Sequence, residues 1–265
     1  MSVSWINELF GQTPNASEHG GLVDHMLGFV HWFMLALFIG WSTYLCLAFY
    51  RFNSKRNAKG DYHGVTGHAT THIEIGVVIV EAILLLGFAF PLWARQADDY
   101  PVSPDTIKMR ALGEKFLWNF QYPGNDTALS TWDLRNVDAA AGNTTGKDLH
   151  DPNGKDDFVN PGTMKLPVGR PVIVDVASKD VIHNLALVPM RAAQDACPGV
   201  KAHMWFKPIK TGTWDIICGQ LCGPGHAQMK AVVEVLEAKE FDDWSKEMSG
   251  NAIKASAPAT ASAAR

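Results

Sequence analysis

Charge is missing from residues 26–50 (MLGFVHWFMLALFIGWSTYLCLAFY), which hold no Lys, Arg, Asp or Glu. That absence excludes an ordinary surface helix. At about 1.5 Å of rise per residue, the run is long enough to cross a hydrocarbon core of about 30 Å. No basic cluster precedes it and it outlasts the core of a signal peptide, so it reads as a retained membrane helix. Cysteine is scarce as well, with four in 265 residues, and their spacing does not make a disulfide framework. Cys-x-x-Cys-His is absent, which excludes a covalently attached c-type haem. There is no positive excess either: the net charge is −4, which argues against nucleic acid as a partner.

What is present begins with a second apolar run, residues 73–93, interrupted only by Glu74 and Glu81. The two runs predict a helical hairpin. Arg51, Lys55, Arg56 and Lys59 lie between them and no Lys or Arg precedes the first, so the connecting loop is expected on the cytoplasmic side. Both chain ends then lie outside. From Gln96 onward, 18 Lys and Arg face 21 Asp and Glu, a net of −3 that permits a basic protein partner.

Past the hairpin, short β-like runs alternate with Gly, Pro, Asn and Asp, the pattern of an all-β sandwich or barrel. Candidate strands cover residues 107–111, 115–122, 171–177, 203–207, 213–218 and 229–237. A polar stretch, 123–162, reads as a long surface excursion, and 238–248 as a short closing helix. The chain divides into an N-terminal outer segment (1–25), a membrane hairpin with a basic loop (26–95), a β domain (96–248) and a low-complexity tail (249–265).

One stretch carries chemistry: CGQLCGPGHAQMK, residues 218–230. A disulfide between Cys218 and Cys222 leaves His226 and Met229 unexplained. Structural zinc rarely uses Met, and a tetrahedral Cys/His site usually recruits a second clustered pair. Copper accounts for every residue type, because thiolate and thioether are soft donors and imidazole suits the metal. Two thiolates suggest a pair of ions, and a further histidine must come from elsewhere, with His183 the candidate. Disulfide, zinc and copper remain as readings of the residues alone.

The hairpin, D-V-x-H at 180–183 followed by V-P, D-A-x-P-G at 195–199, W-F-K-P at 205–208 and C-x-x-x-C-G-x-x-H-x-x-M at 218–229 together resemble cytochrome c oxidase subunit II, from the first helix to about residue 244. The resemblance implies a two-helix membrane hairpin followed by an all-β, cupredoxin-like Greek-key barrel. It also implies a dinuclear copper A centre, held by the side chains of His183, Cys218, Cys222, His226 and Met229 and by the main-chain oxygen of Gln220, with both sulfurs bridging. The implied role is an electron-transfer subunit of a respiratory oxidase in a bacterial cytoplasmic membrane, with the copper domain on the periplasmic side. It takes electrons from cytochrome c and passes them to haem in subunit I, where oxygen is reduced. Subunit I, other oxidase subunits and lipid are the implied neighbours.

Three departures from the family pattern matter. Gln220 stands where many members have a Glu that also helps hold magnesium at the subunit I boundary, so that ion loses a carboxylate. Phe116 falls where a Trp is common in the aromatic segment that receives electrons, with Trp118 retained. His-Asn-Leu replaces the usual His-Ser-aromatic at His183. Glu74 resembles the family Glu at the mouth of a proton path, and Glu81 lies seven residues on, about 10 Å deeper on nearly the same face. A quinol oxidase subunit II keeps the hairpin and barrel without serving copper, which the full ligand set opposes. Nitrous oxide reductase shares the loop but needs a second domain for which this chain has no room. A membrane-tethered carrier binding one copper is the non-enzymatic rival.

Overall fold

The charge-free runs become helices in the computed structural model, which describes residues 8–57, 59–60, 62–63, 67–98 and 100–256 (for 255 and 256, the backbone alone). Helix α1 is Gly20–Arg51, 32 residues, and α2 is Ala69–Ala97, 29 residues, broken by one π turn at Leu85–Ala89. Both extend past the apolar runs that predict them. The rings of Phe29 and Phe88 meet at 6.1 Å between the two helices. No residue of α2 is buried by this chain, so its apolar surface needs lipid or other helices for cover. Between the helices the Arg56 guanidinium stacks 3.7 Å over the Tyr50 ring.

The chain forms two compact units. The second holds ten strands: β1 Ile107–Glu114, β2 Leu117–Tyr122, β3 Phe158–Pro161, β4 Thr163–Pro167, β5 Val172–Ser178, β6 His183–Leu187, β7 Ala192–Ala196, β8 Ala202–Phe206, β9 Gly212–Cys218 and β10 Lys230–Leu236. They make two five-stranded sheets, ordered β3-β2-β1-β5-β8 and β4-β10-β9-β6-β7, the flattened form of the expected barrel. One core joins the inner faces, where Met109, Trp118, Phe120, Val174, Leu185, Phe206, Ile216 and Val233 are fully buried. Tyr122 ties the sheets together, its hydroxyl donating to Lys165 O at 3.0 Å and accepting from Lys165 N at 2.8 Å.

Three boundaries differ from expectation. The stretch 123–162 is not a loose excursion; it contains β3 and is fastened over the outer face of the first sheet. Arg110 on β1, 2% exposed, donates to Gln121 Oε1 at 2.8 Å and to Ser130 O at 3.2 Å, and Asp157 accepts from Gln121 Nε2 at 2.7 Å and Ser130 Oγ at 2.7 Å. The closing helix, α3 Ala238–Ser256, runs beyond residue 248, because Ser249 is buried and donates to Asp156 Oδ2 at 3.2 Å; residues 257–265 of the expected tail lie outside the described residues. The N-terminal outer segment is not separate: Pro14–Gly20 belongs to the β unit. There Ala16 N donates to Pro189 O, Glu18 N to Lys207 O, Ile209 N to Ala16 O and Ser17 Oγ to Met190 O, with Ala16 and Ser17 fully buried.

Candidate metal centre

Three pieces of the second sheet converge at one end. His183 opens β6, Cys218 closes β9 opposite Leu185 of β6, and Met229 immediately precedes β10. The β9–β10 connection carries Gln220, Cys222 and His226, the last starting a short 3-10 turn, His226–Gln228. Gly223 sits at φ +138, where a side chain would be strained, and a Cβ at Gly225 would collide with the Phe116 ring. Glycine is therefore required twice, once by the turn and once by a close neighbour.

The side-chain donors point at one another. Cys218 Sγ lies 3.8 Å from Cys222 Sγ and 3.9 Å from His183 Nδ1, and Cys222 Sγ lies 3.6 Å from His226 Nδ1 and 3.7 Å from Met229 Sδ. Gln220 O comes to 3.2 Å from Cys218 Sγ. A sulfur–sulfur distance of 3.8 Å excludes a disulfide, whose bond is about 2.05 Å, and both cysteines are free. The spacings match the edges of a four-coordinate site: bonds of about 2.0–2.3 Å to nitrogen and sulfur put donors roughly 3.3–3.8 Å apart. The ligand atoms of His183, Cys218 and Cys222 all lie within 4.8 Å of one another. Burial pushes the Cys222 thiol up, and its neighbour Cys218 adds to the push. A metal would replace those protons, since it binds the thiolates.

Asp180, quoted in the motif but given no role from sequence, sets the orientation of His183. His183 is fully buried, and its Nε2–H donates to Asp180 Oδ1 at 2.8 Å, which leaves Nδ1 as the bare nitrogen facing the sulfurs. Asp180 also accepts from Lys115 N at 2.8 Å and Val181 N at 2.7 Å. Burial works against its carboxylate, but the bonds from His183, Lys115 and Val181 outweigh it and hold the pKa below the ordinary value. The spacing Asp-x-x-His was the available signal. Replacing Asp180 with Asn should weaken metal retention about 10–100-fold, as loss of a supporting carboxylate does elsewhere; competition with a copper chelator measures it, and unaltered retention removes Asp180 from the site.

Phe116 and Trp118, adjacent in the predicted aromatic segment, separate in space. Phe116 is partly exposed and packs on Gly223 and Gly225 of the loop. Trp118 is fully buried, its ring 5.9 Å from that of His183 at 67°, with Gly113 closing over both. Glu74 lies on α2 in the helical unit, outside this donor cluster.

Two long apolar helices, a cupredoxin-like sandwich and a cluster of two thiols, two imidazoles and a thioether at its end define a membrane-anchored protein with a soft-metal site. The family described as cytochrome c oxidase subunit II, periplasmic domain, matches residues 107–236. An alternative cytochrome c oxidase subunit 2 of Bradyrhizobium diazoefficiens is 31% identical over 234 residues, covering 88% of this chain and 82% of that protein. Cytochrome c oxidase subunit 2 of Cereibacter sphaeroides is 26% identical over 264 residues, with 94% and 84% covered. The crystal structure of the periplasmic domain of subunit II of cytochrome oxidase of Bradyrhizobium japonicum is 28% identical and covers 57% of this chain and 97% of that one, with a TM-score of 0.41. The chain belongs to the cytochrome c oxidase subunit 2 family, as a membrane-anchored subunit of an oxidoreductase with its β unit on the periplasmic side.

Proposed function

We propose that His183, Cys218, Cys222, His226, Met229 and the Gln220 carbonyl hold a dinuclear copper A centre, and that the chain relays single electrons from a reduced c-type cytochrome to haem in subunit I. The observation that carries this is the cage itself: two free buried thiols 3.8 Å apart, each with its own imidazole within 3.9 Å and one with a thioether at 3.7 Å. Zinc leaves the thioether without a purpose, and a one-copper carrier leaves the second thiol without one. Bound there, a copper pair supplies a one-electron acceptor whose charge is shared between two ions.

The chain's own residues supply rigidity and exclusion. Asp180 fixes the His183 ring, strands β6, β9 and β10 fix the two ends of the loop, and burial keeps water from both sulfurs. Little then rearranges when charge moves. Phe116, lying on the loop at the surface, is the side chain through which electrons reach the site; Trp118 braces His183 from beneath. The Gln220 amide is a weaker ligand than a carboxylate, so magnesium at the subunit I boundary would depend on other groups. Metal analysis of the purified complex tests the reading: two coppers per chain with a mixed-valence electron spin resonance spectrum support it, and zinc or a single copper overturns it.

Glu74 is the proposed mouth of a proton path into subunit I. A carboxylate on an apolar helix is costly against lipid, and Glu81 nearly beneath it makes that face the one expected to meet subunit I. Exchanging Glu74 for Ala should slow turnover several-fold while leaving reduction by cytochrome intact. Undiminished proton uptake and turnover would sink the assignment.

A further inference from the structure

We propose that the outer face of the first sheet carries a binding site for a phosphate group, walled by Lys108, Arg110 and Lys201 around Trp132. Strand register builds it. Side chains alternate along a strand, so while Met109 and Ala111 enter the core, Lys108 and Arg110 leave β1 on the opposite face. Parallel β5 sets Ile173 beside Lys108 and Asp175 beside Arg110. The segment 127–132 passes over this face, and a cleft of about 530 Å³ lies between them, within the range of small-molecule sites. Lys201, just ahead of β8, completes the wall. Its Nζ and the Arg110 Cζ each lie 4.7 Å from the Trp132 ring.

Arg110 is the group that asks for a ligand. It is 2% exposed, yet its bonds go to the neutral acceptors Gln121 Oε1 and Ser130 O, and its buried Nε has no acceptor. A buried cation is costly unless an opposite charge compensates it. Asp157 does not serve: it accepts from Gln121 and Ser130, and burial pushes its carboxyl up toward the neutral form. Asp175 is engaged by His203 Nδ1 at 2.8 Å. Burial lowers the Arg110 pKa to about 10, with Asp175 and then Asp157 drawing it back, so the charge persists at neutral pH.

Charge and shape then select the ligand. Lys108 and Lys201 are exposed, and neither pairs with a carboxylate among the described residues. Asp133, close enough to feel Lys201, is held by Arg135 at 2.6 Å. In the lining, three cations against Asp175 alone leave a surplus of two positive charges. A phosphate monoester carries about −1.5 to −2 at neutral pH, which matches that surplus, whereas a metal ion is repelled and a neutral sugar leaves it uncompensated. Leu129 and Ile173 offer an apolar wall to the rest of a small organic phosphate. The metal donors belong to the other sheet, so the two sites fill independently.

Equilibrium dialysis of the intact oxidase complex at fixed ionic strength, against radiolabelled inorganic phosphate or glycerol 3-phosphate, tests this. Wild type should bind one equivalent that a variant carrying both Lys108→Ala and Lys201→Ala binds roughly 100-fold more weakly, at about tenfold for each charge-assisted bond lost. Copper content should be equal in the two. Amide hydrogen exchange in residues 127–132 should slow with phosphate in wild type and not in the double variant, a response that a purely structural role for the lysines would not produce. Identical binding curves, or exchange in 127–132 that ignores phosphate, overturns the site. Tighter binding of citrate than of either phosphate overturns the ligand class. Tighter glycerol 3-phosphate assigns the apolar wall to an organic phosphate, and equal binding of the two makes phosphate itself the ligand. Arg110→Gln should also lose the equivalent; if it fails to fold, the lysine variant decides alone.

Discussion

Serine in place of Cys222 is expected to abolish the two-copper centre and lower electron transfer from cytochrome by roughly 100-fold or more, an effect larger than loss of a supporting residue around a metal. Cys222 is the hub of the cage. Its sulfur alone approaches Cys218, His226 and Met229, at 3.8, 3.6 and 3.7 Å. Hydroxyl oxygen is hard, stays protonated and makes shorter bonds, so it neither holds soft copper nor spans the same gap. Cys218→Ser removes the contacts to His183 and to the Gln220 carbonyl instead. The two variants should therefore lose the mixed-valence signal alike while differing in any residual single-copper spectrum. Circular dichroism should stay unchanged, because two five-stranded sheets and the apolar core between them hold the fold. Two coppers per chain and an unaltered resonance spectrum in Cys222→Ser would end the assignment.

Trp118→Ala should cost about 3–5 kcal/mol of stability, the range for truncating a large buried aromatic. Unfolding of the intact chain in detergent should then begin on the order of 10 °C lower, at about 2–4 °C per kcal/mol for a unit of this size. The site makes the variant informative beyond stability. Trp118 is fully buried, and Gly113 leaves no slack on its far side: a Cβ there would meet the indole at 3.0 Å and His183 Cδ2 at 3.1 Å. The cavity would open directly beneath the His183 ring. Copper bound to Trp118→Ala should show a broadened spectrum and Trp118→Phe a nearly normal one. Equal melting points for wild type and Trp118→Ala would show that the indole fills no space the fold depends on.

The β9–β10 loop was legible as a donor cluster because its sulfur and imidazole groups are neighbours in sequence as well as in space. His183 was harder, since only its motif linked it to a loop that pairs with it through β6 and β9. Strands β6 (HNLAL) and β7 (AAQDA) escaped a reading by residue preference because alanine and polar residues are poor strand formers; they exist because their partners bury them. Arg110 reads as a solvent-facing strand residue, and nothing local reveals that Ser130, Gln121 and Asp157 close over it. Ser249, Gly250 and Asn251 look like helix breakers. The bond from Ser249 to Asp156, far away in the chain, holds α3 through them.

Ala16 and Ser17 are synthesised before either membrane helix, yet they are sealed into a layer that is complete only when Ile209 has followed. The leading residues must therefore already be on the far side of the bilayer when the sandwich closes. A chain in which only one of the two helices crossed the bilayer would strand the carbonyls of Pro189, Met190 and Lys207 without their donors. Closure of the sandwich thus depends on the hairpin being whole: both helices must span before its first and last layers can meet.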